Sequence, residues 1–144
     1  MREPVEAGQR MAFYGILVDD RQLAEVGAYG GRCLVRGRMW DVRHFPGVTL
    51  RGAAGDVAHA RLWSPPADDL DRALVVAALD NVEGYTGDPA TSMYMRRWVR
   101  LAWPADEWAW VYEWNYETDG LLPVPGGDWR AWTGRPWPKT LALH

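Results

Sequence analysis

Two carboxylates, Asp80 and Glu83, stand three residues apart at the end of an apolar helical run, and Gly84 follows directly. Glycine adopts backbone conformations that other residues resist, so Gly84 favours a turn that ends the helix and holds Glu83 beside it. A carboxylate held in this way suits a general base. A solvated carboxylate at a helix end is the alternative, and we expect Asp80 to be no more than that.

Metal sites and nucleophilic hydrolases need residues that this chain largely lacks. Its three histidines (His44, His59 and His144) are not at ligand spacing with one another, with a cysteine or with a carboxylate pair, so no metal site is expected. Its two serines fall in no nucleophile-elbow motif, which disfavours a Ser-His-Asp hydrolase. The single cysteine, Cys33, has no partner for a disulfide and is expected to be a buried apolar residue.

Length and charge narrow the class of protein. A chain of 144 residues fits one domain, which we divide into a polar leader (1–10), a core domain (11–120) and a Pro/Gly/Trp-rich tail (121–144) packed on the same domain. The net charge of −3 gives no general attraction for nucleic acid. No apolar run is long enough for a membrane span, and the leader lacks the apolar core of a signal peptide, so we expect a cytoplasmic protein.

A second possible ligand site lies at the end of the first predicted strand. Tyr14-Gly15-Ile16-Leu17 joins that strand to a helical turn, and such a junction leaves unpaired backbone N–H groups that can hold a carboxylate or phosphate. The alternative is a purely structural turn. The motif matches neither a Walker loop nor a dinucleotide-binding glycine pattern, so a nucleotide is not indicated.

Tryptophans are concentrated in the second half of the chain, which also holds a cluster of three arginines. Five of the ten tryptophans fall within seventeen residues, at positions 98, 103, 108, 110 and 114. Stacking on sugars or bases is one interpretation, and packing in the core or against a partner is the one we favour. Arg96, Arg97 and Arg100 are expected on a solvated strand face.

The order of the predicted elements indicates a mixed α+β domain, and glycine breaks together with the aromatic bulk favour a curled or closed sheet. Strands are predicted at Met11–Tyr14, Cys33–Val42 with a bulge at Gly37, Ala53–Trp63, Met93–Trp103 and Trp108–Trp114. Helical segments are predicted at Asp19–Val26 and Asp68–Asp80, with chain breaks at Gly30-Gly31 and Phe45-Pro46-Gly47. The tail should form a lid or rim, because its prolines and glycines exclude it from a central strand.

Six short motifs, in order, resemble the gamma-glutamylcyclotransferase-like family. They are Tyr14-Gly15-Ile16-Leu17, Phe45-Pro46-Gly47, Gly55-Asp56-Val57, Leu79-Asp80 with Glu83-Gly84, Tyr94-Met95-Arg96 and Val111-Tyr112. The resemblance covers roughly Met11 to Trp129. It implies a small mixed β-barrel with helices packed outside and a cavity at one end.

The same resemblance implies an enzyme without a cofactor that acts on a small gamma-glutamyl compound as a monomer or weak homodimer. The substrate's own α-amine would attack its γ-carbonyl, giving 5-oxoproline and a released amine or amino acid. Glu83 is then the acid/base, the backbone of Tyr14, Gly15, Ile16 and Leu17 forms the substrate cradle, and Tyr94 also contacts substrate.

Two departures bear on the substrate. The family usually has Thr or Ser where this chain has Ile16, and commonly has Tyr where it has Phe45. Two other functions stay open on the sequence. One is a non-catalytic module that binds a small ligand or a partner. The other is a carbohydrate-active protein, which would need two carboxylates facing one cleft among exposed tryptophans.

Overall fold

The computed structural model describes residues 2–51 and 55–138, and over these ranges eight strands and three α-helices form a mixed α+β fold. The strands are β1 (Met11–Phe13), β2 (Ala28–Arg36), β3 (Arg38–Asp41), β4 (Pro46–Thr49), β5 (Val57–Ser64), β6 (Tyr94–Arg100), β7 (Trp108–Trp114) and β8 (Leu122–Pro123). The α-helices are α1 (Arg21–Val26), α2 (Asp69–Glu83) and α3 (Trp129–Trp132), and short 3-10 helices cover Ile16–Asp19 and Pro125–Gly127.

The strands lie in two sheets, and no closed barrel is present in the described part of the chain. Five strands form one sheet in the order β2-β5-β1-β7-β6, with β1 antiparallel to β5 and parallel to β7. The second sheet has the order β4-β3-β8. One isolated bridge between Leu34 and Trp103 brings the outer strand β2 to the chain just beyond β6. Instead of the expected barrel, the five strands form a sheet with β2 and β6 at its edges, and this bridge joins β2 to the segment that follows β6.

The predicted strand Cys33–Val42 is wrong as one element. It is divided at Gly37 into β2 and β3, which belong to different sheets. A Cβ atom at Gly37 would lie 2.7 Å from the carbonyl oxygen of Thr49, so the chain passes too close to β4 for a side chain. The predicted break at Gly30-Gly31 lies instead inside β2, where the pairing with β5 shifts register between Tyr29 and Arg32.

The turn predicted at Phe45-Pro46-Gly47 lies slightly earlier in the chain. The N–H of Val42 donates to the carbonyl of Phe45, and Arg43 and His44 between them have positive φ. Pro46 and Gly47 already belong to β4. The predicted strand Ala53–Trp63 begins in part outside the described residues, and within them β5 starts at Val57.

Helix α2 has clear signals at both ends. The Asp68 side chain accepts a hydrogen bond from the N–H of Asp71, and Gly84 closes the helix in the left-handed conformation at φ 67°. The N–H of Tyr85 then donates to the carbonyl of Asp80. These bonds satisfy helix-end groups that would otherwise lack partners. The helix therefore runs three residues beyond its predicted end and includes Glu83.

The two ends of the chain contribute more to packing than the sequence indicates. In the tail, Val124 and Trp129 belong to the core, and β8 pairs with β3, so the expected lid or rim is wrong for these residues. In the leader, Val5 is buried and its carbonyl accepts a hydrogen bond from Arg72 of α2. Cys33 is fully buried, and burial raises the pKa of its thiol to about 12, so it is a core residue. Within the described ranges, no helix combines the length and apolar character needed to span a bilayer.

Candidate active site

Glu83 is the last residue of α2, and the left-handed turn at Gly84 fixes the direction in which the chain leaves it. Its side chain is partly buried, and no described residue donates a hydrogen bond to its carboxylate or forms an ion pair with it. Burial without a partner penalises the charged form, and it raises the pKa of Glu83 to about 7. A carboxyl group that titrates near neutral pH can both accept and return a proton.

Glu83 opens onto a cavity of about 260 Å³. Besides Glu83, its walls are formed by Ala12, Phe13, Tyr14, Gly15, Ile16, Leu17, Phe45, Pro46, Val82, Met93, Tyr94 and Tyr112. The structure thus brings together at one cavity all six residues that the sequence singles out, from the strand end, the helix end and the start of β6. No tryptophan is among these lining residues, so the cavity is not filled by the Trp-rich segments.

The strand-to-helix junction lies in the wall of this cavity. Gly15 precedes the 3-10 helix Ile16–Asp19, and its carbonyl accepts a hydrogen bond from the N–H of Val18. Among the described residues, the N–H groups of Gly15, Ile16 and Leu17 have no acceptor. Three free donors next to one another can hold a carboxylate or a carbonyl oxygen. The Ile16 side chain is a hydrocarbon and is 76% exposed, so only the backbone of this residue can serve as a donor.

Gly15 also makes a close approach that no larger residue could make without a shift. A Cβ atom there would lie 2.9 Å from Cγ of Pro46, which is the first residue of β4 and another wall of the cavity. The absence of a side chain therefore brings the junction and β4 into contact.

Two tyrosines fasten β4 over the cavity. The Tyr14 hydroxyl donates to the carbonyl of Tyr112 (2.5 Å) and accepts from the N–H of Val48 (3.3 Å). The Tyr94 hydroxyl donates to the carbonyl of Pro46 (2.6 Å). Burial raises the pKa of both phenols, and the nearby charge of Glu83 raises it further. The Tyr14 side chain is therefore a structural element, and the Tyr94 oxygen can still accept a hydrogen bond but not donate one.

Asp80 is not the solvated helix-end carboxylate that its position in the sequence indicates. It is 2% exposed and accepts hydrogen bonds from Nε and Nη2 of Arg96 (3.0 and 3.2 Å) and from the Tyr112 hydroxyl (2.7 Å). Arg96 is accordingly buried rather than on a solvated strand face, whereas Arg97 and Arg100 are exposed. Alternation along β6 does not reveal this burial, because Trp98 and Arg100 share the phase of Arg96 and are exposed.

The exposed tryptophans lie away from the cavity. Trp98 and Trp108 are 37% and 45% exposed and stack on each other with ring centroids 6.0 Å apart, while Trp110 beside them is buried. The cavity contains one carboxylate, since Asp80 is directed to Arg96. The arrangement that a carbohydrate-active site would need, two carboxylates facing one cleft, is therefore absent here. No cluster of three potential metal ligands occurs in residues 2–51 and 55–138.

The fold is shared with solved structures from archaea, bacteria and yeast. The uncharacterized protein PH0828 from Pyrococcus horikoshii matches with a TM-score of 0.62 and 15% identity over 88% of this chain and 93% of that chain. The uropathogenic E. coli-specific protein c4763 matches with a TM-score of 0.63 and 20% identity over 88% and 95%. A part of the Kluyveromyces lactis allophanate hydrolase, 21% of its chain, matches 88% of this chain with a TM-score of 0.60 and 13% identity.

No family model and no curated protein matches the sequence. At identities of 20% or below, the structural matches establish the α+β fold and nothing about activity. The function must therefore be argued from the cavity itself.

Proposed function

We propose that the protein is a gamma-glutamylcyclotransferase-type enzyme, which converts a gamma-glutamyl amide into 5-oxoproline and a released amine or amino acid. The observation that carries the proposal is Glu83, an unpartnered carboxyl with a pKa of about 7 that faces a cavity beside free backbone donors. The family's barrel would correspond to the five-stranded sheet. The arrangement of motif residues around one cavity supports the resemblance seen in the sequence.

The reaction needs few groups because it occurs within one molecule. The α-amine nitrogen of the substrate attacks its γ-carbonyl carbon, a new C–N bond closes the five-membered ring, and the original amide C–N bond breaks. Well-oriented intramolecular reactions reach effective molarities of roughly 10⁵ to 10⁸ M, so holding the substrate folded supplies much of the rate. No water and no cofactor is consumed in this sequence of steps.

Glu83 carries the one proton that must move. As a carboxylate it takes the proton from the attacking α-amine, and as a carboxylic acid it gives that proton to the leaving nitrogen. A pKa near neutral pH favours both halves of this transfer. The N–H groups of Gly15, Ile16 and Leu17 are placed to hold either the α-carboxylate of the substrate or the oxyanion that develops on its γ-carbonyl.

The decisive experiment is incubation of the purified chain with a panel of gamma-glutamyl amides and dipeptides, scored for 5-oxoproline by mass spectrometry. Turnover that is lost in Glu83→Gln would support the proposal. Binding of these compounds without 5-oxoproline in the unmodified chain would favour the non-catalytic binding module instead.

A further inference from the structure

The cavity around Glu83 has an apolar mouth. Phe45, Ile16 and Val82 line the cavity and are 41%, 76% and 72% exposed, which places them where the cavity opens to solvent. Phe45 also packs its edge against Trp114, with ring centroids 6.0 Å apart. Three exposed apolar side chains around one opening form a surface that an apolar group of a ligand can cover.

The cavity contains no positive charge in its walls. Among its described lining residues, Glu83 is the only one that can be charged, and Lys, Arg and His are all missing. The hydroxyl protons of the three lining tyrosines are already donated, by Tyr14 to Tyr112, by Tyr94 to Pro46 and by Tyr112 to Asp80. The backbone donors of Gly15, Ile16 and Leu17 are therefore the free donors that the cavity offers to an anion.

A gamma-glutamyl compound always brings one carboxylate, on its α-carbon, and the backbone donors can hold that one. If the leaving group is an amino acid, it brings a second carboxylate. An unpaired carboxylate in a partly desolvated cavity is costly, and the charge of Glu83 would repel it as well. The apolar mouth would also contribute nothing to its binding.

We infer that the substrates are gamma-glutamyl amides of apolar alkyl or arylalkyl amines, so that the leaving group carries no carboxylate and lies against Ile16, Phe45 and Val82. This inference rests on the proposed function, because it concerns the leaving group of the same reaction. It selects between the two kinds of product, amine or amino acid, that the sequence leaves open.

The test compares substrates that differ by one carboxylate. Gamma-glutamyl-phenethylamide and gamma-glutamyl-phenylalanine form one such pair, and gamma-glutamyl-isobutylamide and gamma-glutamyl-valine form another. In each pair the amide should have the higher kcat/KM, by on the order of 10²-fold, because the site has no partner for the extra charge. A third pair, the propylamide and the ethanolamide, replaces a methyl group with a hydroxyl, and the ethanolamide should be poorer by about tenfold.

Val82→Lys supplies the missing charge at the mouth. Within each carboxylate pair, we take the ratio of kcat/KM for the amine-derived compound to kcat/KM for the amino-acid compound. Val82→Lys should lower this ratio by at least about tenfold, since a nearby ammonium can pair with the second carboxylate. Leu74→Lys is the matched control, because Leu74 lies on the same helix, is 62% exposed and does not line the cavity. The Leu74→Lys variant should have the same ratio as the parent protein. Comparing this ratio between the two variants cancels changes in the acid/base step that are common to both compounds of a pair.

The outcomes separate the two levels of argument. If 5-oxoproline forms from the amino-acid compounds as fast as from their amide partners, the inference about the leaving group is wrong while the proposed function stands. Equal ratios in Val82→Lys and Leu74→Lys would also contradict it. If none of the six compounds yields 5-oxoproline, the proposed function fails and the inference fails with it.

Discussion

Asp80 and Glu83 lie one helical turn apart on α2, yet they have opposite environments. Asp80 is enclosed by Arg96 and the Tyr112 hydroxyl, whereas Glu83 has no partner and opens onto the cavity. Tyr112 joins the two, because its hydroxyl donates a hydrogen bond to Asp80 and the same residue lines the cavity. We conclude that Asp80 holds the cavity wall in place and that Glu83 is the group available for chemistry.

Replacing Glu83 with glutamine should remove the proton carrier and little else. An amide keeps the size of the side chain but cannot take up or return the proton, so kcat should fall by about 10² to 10⁴. Steady-state kinetics on an active gamma-glutamyl compound would measure this. Glu25→Gln on α1 is the control, since Glu25 is exposed and forms an ion pair with Arg21 one turn before it. If the kcat of Glu83→Gln were within threefold of the parent value, Glu83 would not be the acid/base.

The pH dependence of turnover should report the titration of Glu83. The reaction begins with the carboxylate, and the pKa of Glu83 is about 7, so kcat/KM should fall about tenfold per pH unit below 7 and level off above it. A pH profile from pH 5 to 9 would measure this. If the acidic limb of the profile had its midpoint near 4.5, the ordinary pKa of Glu, the carboxyl that accepts the proton would be a solvated one and not the buried Glu83.

Glu83→Gln should also make the protein more stable at alkaline pH. The pKa of Glu83 is about 7 in the folded protein and 4.5, the ordinary value, in the unfolded chain. The folded state is therefore fully stable with respect to this group below pH 4.5 and becomes less stable as the pH rises from 4.5 to 7. At pH 8 the variant should therefore gain about 1 to 3 kcal/mol in free energy of unfolding. Urea unfolding at pH 8 and at pH 5 would measure it, and the gain should be much smaller at pH 5. An unchanged or lower stability of Glu83→Gln at pH 8 would show that burial does not destabilise the charged form of Glu83.

Asp80→Asn should damage stability rather than the chemistry itself. It removes the charge opposite a buried arginine, and breaking one side of such a pair costs about 3 to 5 kcal/mol. Thermal or urea unfolding would measure the loss. Asp71→Asn, on the exposed side of the same helix, should change stability by no more than about 1 kcal/mol. An Asp80→Asn protein as stable as the Asp71 variant would contradict the structural role.

Gly15→Val should block the backbone cradle. Its Cβ would meet the Pro46 ring at 2.9 Å and its methyl groups would crowd the cavity, so KM should rise by at least tenfold. Ile16→Thr should leave kcat/KM within a few-fold, because it keeps the backbone N–H and removes only part of the apolar surface that the 76% exposed Ile16 side chain adds to the mouth. Isothermal titration with an inert gamma-glutamyl analogue would separate binding from turnover. Normal binding by Gly15→Val would mean that the cradle lies elsewhere.

Much of the local structure could be predicted from the sequence. Alternation of side chains predicts the limits of β7 at Trp108 and Trp114. Capping predicts the start of α2 after Asp68, and the conformational freedom of glycine predicts its end at Gly84. All three effects act between neighbours in the chain. Six of the cavity residues could also be identified, because each belongs to a short motif at the start or end of an element, and they are Tyr14, Gly15, Ile16, Leu17, Glu83 and Tyr94.

Contacts between distant parts of the chain decided the rest. The division of Cys33–Val42 between two sheets depends on how closely β4 approaches Gly37, and the core position of Trp129 depends on the other elements that surround it. The different environments of Asp80 and Glu83 arise in the same way. Both are acidic residues on one helix, but Arg96 from β6 and Tyr112 from β7 donate hydrogen bonds to Asp80 and not to Glu83. Sequence position does not decide this difference, because charge pairing and desolvation depend on distance in space rather than on separation in sequence.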